Sequence, residues 1–217
     1  MRKSITLLLA VIFCLALLTS CGKRETDNKE EEWMPETESS NVFDGGCYML
    51  ADFETYMQCA QIRYGATFGK VTRITDKNFV THGSYSIKCE VFGREEVSKP
   101  KASPYIKIST ASQYFKKSDF TDCDAFLFDI YNAMPEVLSF WFCISEINVK
   151  RRVDLTPGWN YVEIPADASA FTPDFGIEIP EYLIRDISSF IFIFDRGELH
   201  EQAQTFYFDN FRARKKT

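Results

Sequence analysis

The sequence predicts an all-β domain, a two-sheet antiparallel β-sandwich, and three observations carry that prediction. Short runs rich in Phe, Ile, Val and Tyr recur along the chain, separated by clusters of Gly, Pro, Asn and Asp. Within the runs apolar residues repeat with a period of two, whereas windows with a helical 3.6-residue repeat are scarce. Twenty Phe and ten Tyr in 217 residues supply enough apolar mass for a sizeable core. Nine such strands with no helices between them pack as two sheets, not as alternating β-α units. No internal repeat is present.

Taken in order, the strands are expected at 48–53, 67–74, 85–92, 105–109, 125–131, 138–145, 161–164, 190–195 and 205–212. The best candidate for helical spacing, 180–188, is short enough to be a single turn or two. Cys89 shares strand parity with Tyr85, Ile87 and Val91, the pattern of a small buried hydrophobe. In 125–131 the residues Phe126, Phe128 and Ile130 share one face and Leu127, Asp129 and Tyr131 the other. In the next strand Leu138, Phe140, Phe142 and Ile144 oppose Ser139, Trp141 and Cys143. If these two strands form a hairpin through 132–137, both even sets face the core, and Asp129, Tyr131 and Trp141 become neighbours on the opposite face. A carboxylate beside two aromatic planes suits a sugar ring, whose C–H face stacks on aromatics while its hydroxyl rim needs polar partners.

Charge narrows the field of functions. The formal net charge of -6 lacks the basic face that phosphate binding requires, so no nucleic-acid partner is expected. Residues 22–46 carry eight acidic and three basic side chains with no apolar periodicity, the composition of a flexible, self-repelling linker.

The N-terminus has the build of a secretory signal. Arg2 and Lys3 precede the stretch 5–18, apolar apart from Thr6 and too short to span a bilayer. Leu18-Thr19-Ser20-Cys21 resembles the lipobox of bacterial lipoproteins. The resemblance implies removal of residues 1–20, a diacylglycerol on Cys21 and acylation of the new amine, hence a chain anchored to the membrane and not spanning it. Gly22 in place of an aspartate favours delivery to the outer membrane. Lys29-Glu30-Glu31-Glu32 is similar to the acidic surface-export signals of Bacteroidetes lipoproteins, so both the periplasmic face and the cell surface stay open. The expected organisation is a signal peptide over 1–20, a lipidated Cys21 with its linker to 46, and a domain over 47–217. Five cysteines then remain in the mature chain, at 47, 59, 89, 123 and 143. Their spacing matches no zinc pattern and favours no particular disulfide.

Five motifs, in order, resemble the carbohydrate-binding-module form of the galactose-binding-like jelly roll: Leu50-Ala51-Asp52-Phe53-Glu54, His82-Gly83-Ser84-Tyr85-Ser86-Ile87-Lys88, Phe126-Leu127-Phe128-Asp129-Ile130-Tyr131-Asn132, Leu155-Thr156-Pro157-Gly158-Trp159-Asn160 and Phe206-Tyr207-Phe208-Asp209-Asn210-Phe211-Arg212. The similarity covers nearly all of 47–217. It implies a jelly-roll sandwich, a glycan ligand, Trp159 as a structural plug at a strand start, and a structural calcium ion. The matching calcium ligands are Asp52 or Glu54, together with Asp209, hard oxygen donors of the kind calcium needs. His82 is expected in a turn and His200 in an exposed loop.

No nucleophile elbow, phosphate-binding glycine loop or zinc-protease helix is present, and Glu95-Glu96 and Arg151-Arg152 read as loop charges. The leading expectation is a non-catalytic, lipid-anchored module that holds a glycan through Trp141, Tyr131 and Asp129. Its rivals are a surface scaffold or adhesin that binds a protein, and a polysaccharide-degrading enzyme, which would need a carboxylate pair in a cleft.

Overall fold

The computed structural model describes residues 46–55, 62–64, 69–93, 103–109, 117–145, 149–173, 179, 181–194 and 203–217. Contacts divide the chain into Met1–Ser39 and Ser40–Thr217, and all the described residues belong to the second unit. The signal segment, Cys21, the acidic linker to residue 45, Cys59, Glu95, Glu96 and His200 lie outside the described residues.

Twelve strands are described: β1 (Cys47–Ala51), β2 (Ile62–Tyr64), β3 (Gly69–Ile74), β4 (Ser86–Val91), β5 (Tyr105–Ser109), β6 (Cys123–Asn132), β7 (Leu138–Ile144), β8 (Val149–Leu155), β9 (Gly158–Pro165), β10 (Thr172–Pro173), β11 (Ser189–Ile193) and β12 (Gln204–Lys215). All pairings are antiparallel. The first sheet runs β3-β4-β12-β6-β9, with β1 beside the second half of β12; the second runs β10-β8-β7-β11-β5-β2. This is the predicted all-β, two-sheet sandwich.

The two sheets face each other through phenylalanine. Ten Phe side chains, among them Phe126, Phe128, Phe140, Phe142, Phe208 and Phe211, are less than 2 % exposed. Phe128 of the first sheet lies 5.5 Å from Phe142 and 5.5 Å from Phe192 of the second, and 5.8 Å from Phe208 beside it. Offset and edge-on ring pairs of this kind add to the area term of burial. Near the middle of β12, Asn210 and Phe211 together oppose the single Phe128, a bulge in which Asn210 takes φ 56°. The extra residue lets Asp209 and Arg212 point outward while Phe208 and Phe211 both point into the core.

Two expectations are corrected here. Strands β6 and β7 are not a hairpin: β6 pairs with β12 and β9, and β7 with β11 and β8. Their apolar faces meet across the core, so the link 133–137 crosses from one sheet to the other. Arg151 and Arg152 sit on a strand, β8, whose Val149, Val153 and Leu155 are buried. The helical spacing at 180–188 gives a single 3-10 turn, Glu181–Ile184, as expected, followed by irregular chain. Cys47, Cys89, Cys123 and Cys143 are buried thiols.

Candidate functional site

Each sheet turns one face outward, and the predicted site residues are divided between the two. On the second sheet, cross-strand register sets Arg152 (β8), Trp141 (β7), Ile193 (β11) and Tyr105 (β5) in one outward row over four neighbouring strands. At the usual strand spacing the row is roughly 14 Å long. Trp141 and Ile193 are half-buried and Tyr105 is exposed. The Lys150 ammonium stands 4.6 Å from the Trp141 ring centre, a cation–π contact.

Beside the indole lies a polar cluster. The Ser139 hydroxyl donates to Asp154 Oδ1 at 2.6 Å and Arg152 Nε donates to the same oxygen at 3.0 Å. The Ser139 bond first, and Arg152 after it, hold the Asp154 carboxyl below the usual carboxylate range. The face therefore presents an indole plane flanked by a carboxylate that stays ionised, a guanidinium and a hydroxyl. A phenol stands at the far end of the row.

On the first sheet the rings are closer together and more covered. Tyr131 (β6) stands in register between Tyr207 (β12) and Trp159 (β9), with centroid distances of 6.1 and 5.5 Å. Phe79, from the 3-10 turn Lys77–Phe79, lies flat on Tyr207 at 3.7 Å and 4°, and edge-on to Tyr131 at 5.0 Å. Below the rings Asp129 and Asp209 face each other in register. Asp209 Oδ2 accepts the backbone N–H of Thr81 at 2.7 Å and of His82 at 3.0 Å. Asp129 Oδ2 accepts the Thr81 hydroxyl at 2.7 Å and the Asn210 amide at 2.9 Å. Burial pushes the Asp209 carboxyl up to about 6, against the pull of its N–H donors. These carboxylates pin the connection between β3 and β4 down onto the sheet.

Glu54 holds the other end of that connection. Its Oε1 accepts Ser84 N–H at 2.7 Å and Tyr85 N–H at 2.9 Å. Gly83, at φ 67°, leaves room for the carboxylate, because any Cβ there would overlap it. Arg73 donates to the carbonyls of Phe53 and Glu54 and lays its guanidinium 3.3 Å from the Tyr85 ring centre.

Two predictions about this site are altered. Trp141 lies on the opposite face of the sandwich from Tyr131 and Asp129. The Asp129 carboxylate, 3 % exposed, is consumed by the fold and offers no rim to a ligand. Among the described residues no group of three His, Cys, Asp or Glu side chains comes together. Asp52 Oδ1 accepts Glu54 N–H, and Glu54 and Asp209 accept the loop amides, positive dipole ends that a cation would have to displace. Trp159, implied as a plug, is half-buried on the outward face, with Tyr161 beside it. The sequence reading missed Asp154 and Ser139. Their signal was the alternation of Val149, Val153 and Leu155, which places Arg152 and Asp154 together on the far face of β8.

No family model matches the chain, and no curated protein is similar to it in sequence. Among solved structures it is similar to the family 11 carbohydrate-binding module of the cellulosomal cellulase Lic26A-Cel5E of Clostridium thermocellum. That match has a TM-score of 0.53 and 18% identity, over 79% of this chain and 95% of that one. The Clostridium thermocellum module in complex with a β-1,3-1,4-mixed-linked tetrasaccharide matches with a TM-score of 0.52 and 17% identity, over 77% of this chain and 94% of that one. An exo-β-agarase matches at 0.53 and 15% identity, over 78% of this chain but only 25% of the agarase. The fold is thus the jelly-roll sandwich of carbohydrate-binding modules.

Proposed function

We propose that the chain is a non-catalytic, glycan-binding lipoprotein of the bacterial outer membrane, tethered through lipid on Cys21 and taking its ligand across the outward face of the second sheet. The observation that carries this reading is the row Arg152–Trp141–Ile193–Tyr105, with Asp154 and Ser139 at its side. An indole plane supplies the stacking surface, and an ionised carboxylate and a guanidinium supply partners for hydroxyls. The row crosses several strands, which suits an oligosaccharide lying across the sheet. The fold shared with modules solved alone and with bound tetrasaccharide supports a carbohydrate ligand.

The test is retention of the unlipidated mature chain (residues 21–217, Cys21→Ser) on insoluble polysaccharides and in affinity gels. Specific retention that Trp141→Ala abolishes, with an unchanged melting temperature, is the expected result. Retention that survives Trp141→Ala would remove the site. No retention on plant, host or microbial glycans would move the weight to a protein partner, and cleavage of any glycan to an enzyme.

A further inference from the structure

A second pair of aromatic side chains, on the other face of the molecule, has the geometry of a ligand platform. Trp159 and Tyr161 stand two residues apart on β9, the edge strand of the first sheet, and both point outward in register with Tyr131 and Asp129. Their ring planes lie 14° apart with centroids 6.2 Å apart, close to the two-residue repeat of a strand. Tyr161 is 72 % exposed. Tyr131 meets Trp159 edge-on at 5.5 Å and braces it from the next strand, so the indole is pre-oriented.

Polar groups border the pair. Glu163, two residues further along β9, is exposed and takes a two-pronged contact from Arg214, whose Nη2 lies 2.7 Å from its Oε1. Arg214 Nε in turn donates to Asp124 at 2.8 Å. A near-parallel aromatic pair beside a fixed carboxylate–guanidinium pair matches a sugar, which has an apolar C–H face and a hydroxyl rim.

The patch also exposes little apolar surface. A stable interface takes roughly 800 Å² from each partner. On the described strands of this sheet, Tyr161 is the one large apolar side chain more than a third exposed.

We propose that Trp159 and Tyr161 form a second, independent sugar-stacking site that holds pyranose rings of a glycan by their C–H faces, on the opposite side of the sandwich from Trp141. The proposal does not rest on the Trp141 reading. If both sites work, the module is bivalent and holds a polysaccharide more tightly than either site holds a short oligosaccharide.

The chain has three tryptophans, at 33, 141 and 159. Trp33→Phe with Trp141→Ala, in the unlipidated mature chain, leaves Trp159 as the sole reporter and also disables the first site. The probes are a mixed-linkage β-glucan tetrasaccharide, an agaro-oligosaccharide and a panel of soluble polysaccharides. A saturable change in Trp159 emission is expected with at least one of them. Tyr161→Ala should raise the half-saturation concentration roughly tenfold, and Tyr161→Phe should restore it, with the melting temperature unchanged throughout. Emission that no glycan alters, or a response that Tyr161→Ala leaves intact, would overturn the site. Emission that changes with protein concentration, alongside dimers in sedimentation, would overturn it in favour of a second copy of the chain. Trp141→Ala alone, scored by affinity-gel retention, reports separately on the first site.

Discussion

The two outward faces of the sandwich hold similar chemistry and use it in opposite ways. Around Tyr131 the Asp209 carboxylate is capped by the backbone amides of Thr81 and His82, the buried Asp129 carboxylate by the Thr81 hydroxyl and the Asn210 side-chain amide, and a phenylalanine from the chain itself covers Tyr207. Around Trp141 the carboxylate of Asp154 is met only by side chains, and it stays more than half exposed. One arrangement holds a loop; the other leaves its carboxylate exposed. What separates them is the partner. A backbone amide in a pinned loop is a permanent donor, whereas a surface guanidinium and hydroxyl can turn towards a sugar.

The largest expected effect lies between the faces. Phe128 contacts rings from both sheets, so Phe128→Ala should cost about 4 kcal/mol, read by urea denaturation, and weaken both faces together. A loss confined to one face would mean that the sheets are stabilised separately.

The pinned face should show itself in pH. The Asp209 carboxyl is raised in the folded state to about 6, above its unfolded value near 4, so the folded chain binds more protons between those values. Its contribution is fully present below about pH 4 and is lost as the pH rises through about 6. Stability should therefore fall over that window by about 2–3 kcal/mol, and Asp209→Asn should flatten the fall. Glycan retention through Trp141 should be indifferent to Asp209→Asn. A retention change that follows Asp209 would show that the faces are coupled.

This contrast also explains what could be read from the sequence. Strand positions were legible because alternation of Phe and Ile with polar residues marks a half-buried strand whatever its partner. Parity assigns a residue to the inside or the outside, but it does not assign a strand to a sheet. The even residues of β6 and β7 are equally buried whether the strands pair in one sheet or face each other across the core. The second arrangement occurs here, and it separates Trp141 from Tyr131 by the thickness of the sandwich. Strand β8 was obscured by Lys150-Arg151-Arg152, although Arg151 turns its guanidinium onto the Ala170 carbonyl and behaves as part of the fold. Asp129 and Asp154 look alike in sequence. Only the loop that descends on Asp129 distinguishes a structural carboxylate from an available one.

The open face should respond to small changes. Asp154→Asn keeps the shape and removes the charge, so it should weaken glycan retention several-fold in affinity gels. Because the group is exposed, it should shift stability by no more than about 1 kcal/mol. Equal retention would confine recognition to stacking on Trp141.

The smallest effect is expected from chelation. Asp52, Glu54 and Asp209 are the carboxylates that the family resemblance offers to calcium, and each already accepts at least one backbone N–H. Two amides converge on one oxygen of Glu54 and two on one oxygen of Asp209. A cation entering there would meet the positive ends of those dipoles and would have to free the loop before it could bind. The connection between β3 and β4 is thus held by carboxylate–amide bonds. Adding a chelator, or excess calcium, should leave the melting temperature and glycan retention unchanged. A calcium-dependent rise in melting temperature that Asp209→Asn or Glu54→Gln removes would show that the loop rearranges around an ion. The pinned face would then be the one that binds a ligand first.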